Sequence, residues 1–402
     1  MYEVIIVGAR CAGAPTAMLL ARRGYRVLLV DRAEFPSDIP HGHFIHRHGP
    51  RRLQEWGLLD RIVSSGCPPV TTMTSDYGGI ALTGTELMVD GVALGYGPRR
   101  SALDKILVDA AVEAGAELRI GFTVEDFMTD DGRITGIRGR DRRNGAIVEE
   151  QAAVVVGADG RNSRLAQAVQ APMYEEIPAV TCWFFSYWSG VAHRGLEISI
   201  RHERVIFAFP TNDGLFGVFI AWPSSDLPMV RADIEGQFMA VVDQVPDLAE
   251  RLRNGRREDR FWGATDLPNF LRKPYGDGWA LVGDAGCHKD PFLALGCCDA
   301  FRDAEWLVEA LDEGLSGRRP LPESMALYER RRNEATLPDY RQNLHLAQFK
   351  PLPDDQYRLL SALRGNQEAI NQFYLAREGM IPAESFFNPE NIGRILSAAP
   401  KI

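Results

Sequence analysis

Gly8-Ala9-Arg10-Cys11-Ala12-Gly13 is the segment of this chain whose residue types and spacing point most directly to chemistry. A glycine turn that opens a helix aims backbone N–H groups and the positive end of the helix dipole at a phosphate or pyrophosphate. Two acidic turns follow far along the chain, Asp159-Gly160 and Gly283-Asp284, each closing an apolar run. Open α/β sheets bind ligands at the carboxyl ends of their strands, so both acids stand where a cofactor could be held. A third group is His41-Gly42-His43-Phe44-Ile45-His46-Arg47-His48, four of the eight histidines. Spacings of two and three residues, without a carboxylate or cysteine arranged as further ligands, give no reason to expect a metal. Six cysteines without C-x-x-C spacing, of which only Cys297 and Cys298 are adjacent, suit free thiols in a reducing compartment.

The elements that must position these residues can be read from periodicity. Glu3-Val4-Ile5-Ile6-Val7, ended by Gly8, reads as a buried strand. From Ala12 to Arg23, Ala14, Ala17, Met18 and Ala21 fall at helical spacing, with Gly24 just beyond as a C-cap. Val27-Leu28-Leu29-Val30 is a second strand, ending in Asp31. Strand, glycine turn, helix, strand and terminal acid form the βαβ unit that binds an ADP moiety, Asp31 accepting from the adenosine ribose. The expected turn is G-x-G-x-x-G, and Arg10 stands where its middle glycine belongs. Its guanidinium then points away from the ligand, or lies near the pyrophosphate or a nearby acid. An electrostatic role near the cofactor is the favoured reading; a vestigial nucleotide fold is the alternative. Val154-Val155-Val156 is a central strand leading into Asp159-Gly160, with Ser163 a candidate helix cap. Trp279-Ala280-Leu281-Val282 leads likewise into Gly283-Asp284, and a helix is expected from Asp299.

Taken in order, these three motifs resemble the class A (para-hydroxybenzoate hydroxylase-like) flavoprotein monooxygenases and, more distantly, the geranylgeranyl reductases and flavin-dependent halogenases of that fold. The match spans roughly the first 180 residues and about 270 to 315. The resemblance implies an α/β chain: a Rossmann-like FAD-binding domain of GR2 type, an inserted antiparallel-sheet substrate domain and a C-terminal helical cap. It implies non-covalent FAD held by Gly8, Arg10, Cys11, Ala12, Gly13, Asp31 and Arg32; by Asp159 and Gly160; and by Gly283, Asp284, Pro291, Gly296 and Cys297. Arg99-Arg100-Ser101-Ala102-Leu103-Asp104 looks like the family's arginine-x-x-leucine-aspartate segment, which would put Arg100 on a flavin phosphate. Val124, at the end of the next strand, would contact adenine through its backbone. The segment Phe292-Leu293-Ala294-Leu295-Gly296-Cys297-Cys298 replaces the family's usual Thr/Gly-Gln-Gly loop, and backbone N–H groups at Gly296 and Cys297 would stabilise charge on reduced flavin. The family places a loop crossing flavin and substrate mouth after the Asp31 strand, making His43 and Arg47 candidates for catalysis.

The implied domains are 1–70, 96–180 and 271–315 for FAD, 71–95 and 181–270 for substrate, and 316–402 as a C-terminal helical region. Aromatic alternation in Cys182–Trp188, Val205–Phe209 and Phe216–Trp222 predicts an antiparallel sheet, with Trp183, Phe185, Tyr187, Phe207 and Phe219 as candidate pocket walls, half of the aromatics facing inward. Tyr328-Glu329-Arg330-Arg331-Arg332 is expected on a solvated helix face. The implied reaction is hydroxylation or epoxidation of an aromatic or polycyclic molecule through a flavin C4a-hydroperoxide, with O2 and NAD(P)H as transient reductant, or with a separate reductase supplying reduced flavin. The Trp-x-Trp-x-Ile-Pro segment of halogenases is missing. A geranylgeranyl-reductase-like C=C reductase is a better rival: Phe207-Ala208-Phe209-Pro210 echoes its Tyr-x-Trp-x-Phe-Pro segment, with Val205 in the tyrosine position. A non-catalytic flavin- or nucleotide-binding protein is the third reading. A net charge of −9 disfavours nucleic acid and anionic membrane as partners. No signal-peptide pattern or membrane-length apolar run is read, so a cytoplasmic protein is expected.

Overall fold

A computed structural model describes residues 1–37 and 41–398. The chain divides into two compact units, Met1–Ile39, Arg100–Pro178 and Pro268–Asn343 against Pro40–Arg99, Ala179–Leu267 and Leu344–Ile402. Of the described residues, 41–70 fall in the second unit, 316–343 in the first and 344–398 in the second, whereas the expected boundaries group 1–70 together and set the C-terminal region apart.

The first unit is built on a sheet ordered Glu117–Arg119, Val27–Val30, Tyr2–Val7, Ile147–Gly157, Arg133–Asp141 and Phe122–Asp130. Tyr2–Val7 pairs in parallel with both Val27–Val30 and Ile147–Gly157, the βαβ arrangement expected. The start of Ile147–Gly157 pairs antiparallel with Arg133–Asp141, while Val155, Val156 and Gly157 pair in parallel with Trp279, Ala280 and Leu281. This handover aligns the carboxyl ends of three parallel strands, which carry the glycine turn, Asp159-Gly160 and Gly283-Asp284. Ile5, Leu28, Val155, Leu281 and Phe122 fill the core beneath them. Val124 lies near the start of Phe122–Asp130, not at a strand end, because a bend at Gly121, φ +64°, separates the short Glu117–Arg119 from this second, longer strand.

Two helices depart from expectation. The helix after the Gly283 turn starts at Gly296, three residues before Asp299, so both adjacent cysteines lie in its first turn. The Tyr328–Arg332 segment is not a solvated face throughout: Tyr328 and Arg332 are each 1% exposed. Tyr328 Oη donates to Leu281 O at 3.0 Å, and Arg332 donates to Arg272 O at 2.8 Å and Tyr174 Oη at 2.7 Å. A run of charges hides this, because an arginine can be buried when carbonyl oxygens receive its fork of donors.

The second unit's main sheet runs Arg256–Arg257, Thr181–Ser189, Phe216–Pro223, Arg204–Pro210, Leu196–Arg201, Met73–Asp76, Ala81–Gly84. It is antiparallel apart from the parallel pairing of Leu196–Arg201 with Met73–Asp76. One face carries Cys182, Phe184, Trp188, Ile206, Ile220 and Trp222 into a core with Val230, Phe238, Val242 and Leu252. The last four come from the helices Leu227–Ala232, Ile234–Val242 and Pro246–Asn254, which interrupt the 181–270 span expected to be an antiparallel sheet. Phe238, Val241 and Val242, then Leu248 and Leu252, stand at i, i+3, i+4 spacing, which is the signature of that helical face.

Candidate functional site

The glycine turn is held closed by contacts that leave no room for side chains. Gly8 has φ +105°, and a Cβ there would meet Ala158 O at 2.4 Å; a Cβ on Gly13 would meet Gly8 O at 1.8 Å. Gly283, at φ +62°, would put a Cβ 2.7 Å from Ala12 Cβ. Gly8, Gly13 and Gly283 thus let the turn, the end of Ile147–Gly157 and the Gly283 loop pack directly on one another at the N-terminus of Gly13–Ala21. Asp31 Oδ2 accepts from Ala9 N–H at 2.8 Å and Oδ1 from Ala33 N–H at 2.8 Å. Each carboxylate oxygen keeps acceptor capacity for a sugar hydroxyl.

Arg10 takes the nearby acid. Its Nη1 lies 2.5 Å from Asp104 Oδ2, Nη2 donates to Ser37 Oγ at 2.9 Å, and the guanidinium stands 5.3 Å from the Phe35 ring centroid. Arg100 grips the same carboxylate, Nη2 reaching Oδ1 at 2.9 Å and Oδ2 at 3.1 Å. Asp104 is wholly buried. Two guanidinium groups on one carboxylate leave a net positive charge beside the first turn of Gly13–Ala21, which suits an anionic diphosphate. The i,i+4 spacing of Arg100 and Asp104 was a readable signal for their pairing.

Asp159 Oδ2 accepts from Arg164 N–H at 2.8 Å, while Oδ1 is sealed from solvent without a hydrogen-bond partner. Burial pushes this carboxyl above the usual carboxylate range. Ser163 caps the helix Arg164–Ala168 as expected, accepting from Ala166 N–H at 3.2 Å. An orphaned buried acceptor, the glycine turn at a helix N-terminus and the net positive charge together fit a nucleotide cofactor.

The segment from Asp290 to Cys297 is pre-formed by side chains with no sequence signature. Asn269 Oδ1 accepts from Asp290 N–H at 2.7 Å, Asn343 Oδ1 from Leu293 N–H at 2.9 Å, and Asn343 Nδ2 donates to Asp290 O at 2.9 Å. Pro291 opens a 3-10 turn ending at Ala294, whose φ is +52°. Behind it Lys289 pairs with Asp299, and Arg302 with Asp299 at 2.7 Å and Asp303 at 2.8 Å, all buried. The turn, Arg100, Gly283-Asp284 and Cys297 are brought together: Cys11 and Cys297 touch through sulfur, and Gly283 abuts Ala12. Val124 is buried in its own strand. Arg32 follows Asp31 and is exposed, its carbonyl accepting from Arg142 Nη1 at 3.4 Å.

In the second unit the histidine cluster separates by role. His43 Nδ1 lies 3.1 Å from Gly97 O, and Nε2 lies 2.8 Å from Tyr187 Oη. A carbonyl only accepts, so Nδ1 carries the proton, and whenever the ring is neutral Nε2 is the nitrogen that accepts from the phenol. Arg99 stands 4.1 Å from the Tyr187 ring centroid. His46 pairs with Glu378 at 2.7 Å, both buried, and Arg47, at φ +50°, adds positive charge at the same carboxylate. Trp183, Phe185, Tyr187, Phe207 and Phe219 all lie on the sheet face opposite the Phe238 core, since Phe185 and Phe207 are both in register with Phe219. Phe185 stacks on Phe219 at 4.6 Å, and Phe209 on Phe219 at 5.3 Å.

No helix among the described residues is long and apolar enough to cross a membrane. Over 96% of its length the chain is similar to a digeranylgeranylglycerophospholipid reductase of Methanothrix thermoacetophila, 23% identical across 97% of that protein. It is 28% identical to a kynurenine 3-monooxygenase of Salinispora arenicola, covering 89% of this chain and 81% of that one. In fold it resembles the myxobacterial chondrochloren halogenase, with a TM-score of 0.79 and 20% identity over 99% of this chain and 96% of that one. A family model described as an FAD binding domain matches residues 1–251, more than half of the chain, so this protein belongs to that FAD-binding family and is an FAD-dependent oxidoreductase.

Proposed function

We propose that the chain is a monooxygenase using NAD(P)H and O2 to hydroxylate or epoxidise an aromatic or polycyclic small molecule. The observation that carries this reading is the aromatic sheet face with a proton-accepting histidine set into it. Trp183, Phe185, Tyr187 and Phe219 are buried rings and Phe207 is half-buried, an apolar lining that suits a planar substrate and keeps water out. When bound, FAD supplies hydride acceptance from NAD(P)H, or from a separate reductase, and the activation of O2. The turn Gly8–Gly13, Asp31, Arg100, Asp159 and Gly283-Asp284 bind and orient it. Arg47 acts in this reading through Glu378, not on substrate. His43 holds a proton passed from Tyr187 Oη, and Arg99 over the phenol ring offsets the negative charge that builds there. The cytoplasm is the proposed compartment, in keeping with six free cysteines.

The test is turnover under 18O2 with reduced nicotinamide and a panel of aromatic substrates. A product carrying one 18O supports the monooxygenase. A product two hydrogens heavier, formed without O2, would replace it with the second reading, a C=C reductase, which the match to the archaeal reductase over 96% of the chain favours. A protein that takes up no FAD would sink both and leave the non-catalytic reading.

Tyr187→Phe keeps the ring and removes the proton. We expect kcat to fall about 100-fold with KM little changed, and the acidic limb of the pH–rate profile to flatten. His43→Gln should behave alike. Equal losses of kcat and thermal stability with an unaltered pH profile would mean that the pair is only a packing contact.

A further inference from the structure

Two cysteines at the glycine turn are in contact. Cys11 Sγ lies 3.7 Å from Cys297 Sγ although the residues are 286 positions apart, and both are buried. Cys11 stands just before the helix Gly13–Ala21, and Cys297 is the second residue of Gly296–Leu315, so each sulfur is near a helix N-terminus. Cys11 Sγ is also 3.6 Å from Asp104 Oδ1, the carboxylate shared by Arg10 and Arg100.

We propose that Cys11 and Cys297 form a peroxide-oxidisable dithiol, with Cys297 the thiol that reacts first and Cys11 the one that closes a disulfide. The surroundings of the two sulfurs give this order. Cys11 Sγ donates to Asp104 Oδ1 at 3.6 Å, which keeps Cys11 a thiol, whereas Cys297 lies inside the first turn of the 20-residue helix Gly296–Leu315. In keeping with that geometry, the contact with Cys297 and burial push the Cys11 thiol well above the usual range, and the contact with Cys11 holds Cys297 below it. A thiolate at a helix N-terminus beside arginine is the form that attacks peroxide, and a neighbouring thiol resolves the product.

The Cys297 thiolate attacks one oxygen of hydrogen peroxide. The O–O bond breaks, hydroxide leaves and takes a proton to become water, and the sulfur is oxidised to a sulfenic acid. Cys11 sulfur then attacks that sulfur, the S–O bond breaks, and a second water leaves with the Cys11 proton. Two thiols and one hydrogen peroxide become one disulfide and two waters. The sulfurs must close from 3.7 Å to a bond of about 2.05 Å. The product ties the glycine turn to the first turn of the Gly296 helix. In a reducing compartment such a bond is transient, as expected of a sensor. The inference does not depend on which reaction the enzyme catalyses.

The experiment treats the reduced, FAD-loaded full chain with hydrogen peroxide, blocks free thiols and maps peptides by mass spectrometry without reductant. A Cys11–Cys297 linked pair is expected as the main product, reversed by a dithiol reductant. Cys297 should be oxidised at least about tenfold faster than Cys67, whose thiol burial pushes up to about 12. Cys11→Ser should leave a sulfenic acid on Cys297, trapped by dimedone, while Cys297→Ser leaves Cys11 a thiol and Cys298→Ser keeps the link. Absence of the linked peptide in the native chain, or a sulfenic acid found first on Cys11, overturns the proposal. The native chain alone decides the matter where a variant fails to fold.

Discussion

Gly13→Ala is expected to abolish FAD retention and to destabilise the protein by about 3 kcal/mol or more, the upper end of what overpacking costs. The added methyl would sit 1.8 Å from Gly8 O and 3.0 Å from Ala158 Cβ. The first is a backbone atom, fixed by the pairing of Tyr2–Val7 with two parallel neighbours, so it cannot swing aside as a flexible side chain would. Relief requires the helix Gly13–Ala21 to move off the turn, which withdraws its N-terminal N–H groups from any bound phosphate. Gly24→Ala separates this clash from ordinary turn strain. Gly24 has φ +86° but open space around it, so alanine there should cost about 1–2 kcal/mol and leave FAD in place. The checks are the ratio of flavin to protein absorbance after gel filtration and a thermal melt. A Gly13→Ala protein that keeps FAD stoichiometrically and melts with the parent would show that the turn is looser than described.

The contrast between these glycines shows where sequence reasoning reaches. Tyr2–Val7, the glycine turn and Val27–Val30 were readable because adjacent residues determine them, through β-branched runs and glycines at fixed offsets. The shared face of Trp183, Phe185 and Tyr187 was readable from alternation alone. What stayed hidden was set by distant partners. Arg10 offered several destinations, and the choice of Asp104 lies 94 residues away. The Cys11 contact with Cys297, the Asn343 clamp on Leu293 and the burial of Arg332 depend in the same way on tertiary neighbours without local signature. The helices between 227 and 254 are a different kind of miss, since Phe238, Val241 and Val242 carried a helical period amid aromatic strands on either side.

Glu378→Ala should cost about 3–5 kcal/mol of stability, the range for breaking a buried ion pair by removing one partner. His46 Nδ1 lies 2.7 Å from Glu378 Oε2, with side-chain exposures of 9% and 6%, and the bond joins residues 332 positions apart in the second unit. Burial alone would raise the Glu378 carboxyl; the hydrogen bond and charge of His46, with Arg377 and Arg47, overcome it and lower it to about 2. A carboxyl depressed on folding contributes stability that is complete above its unfolded pKa of about 4.3 and is lost as pH falls toward the folded value. The parent should therefore lose about 3 kcal/mol between roughly pH 5 and pH 2 from this residue, and the Glu378→Gln variant should lack that step. Urea midpoints measured across this window test the sign directly, because a group raised on folding would lose its contribution in the opposite direction. The pair's net value is a separate matter from the cost of breaking it. Exchanging both partners for apolar residues of similar size, His46→Leu with Glu378→Met, should recover most of the stability lost by either single change, since the desolvation of two charges is then avoided. Failure of the double variant to recover would mean that the carboxylate is held for Arg377 and Arg47 as much as for His46, and that the C-terminal helices are anchored by a network instead of one bond.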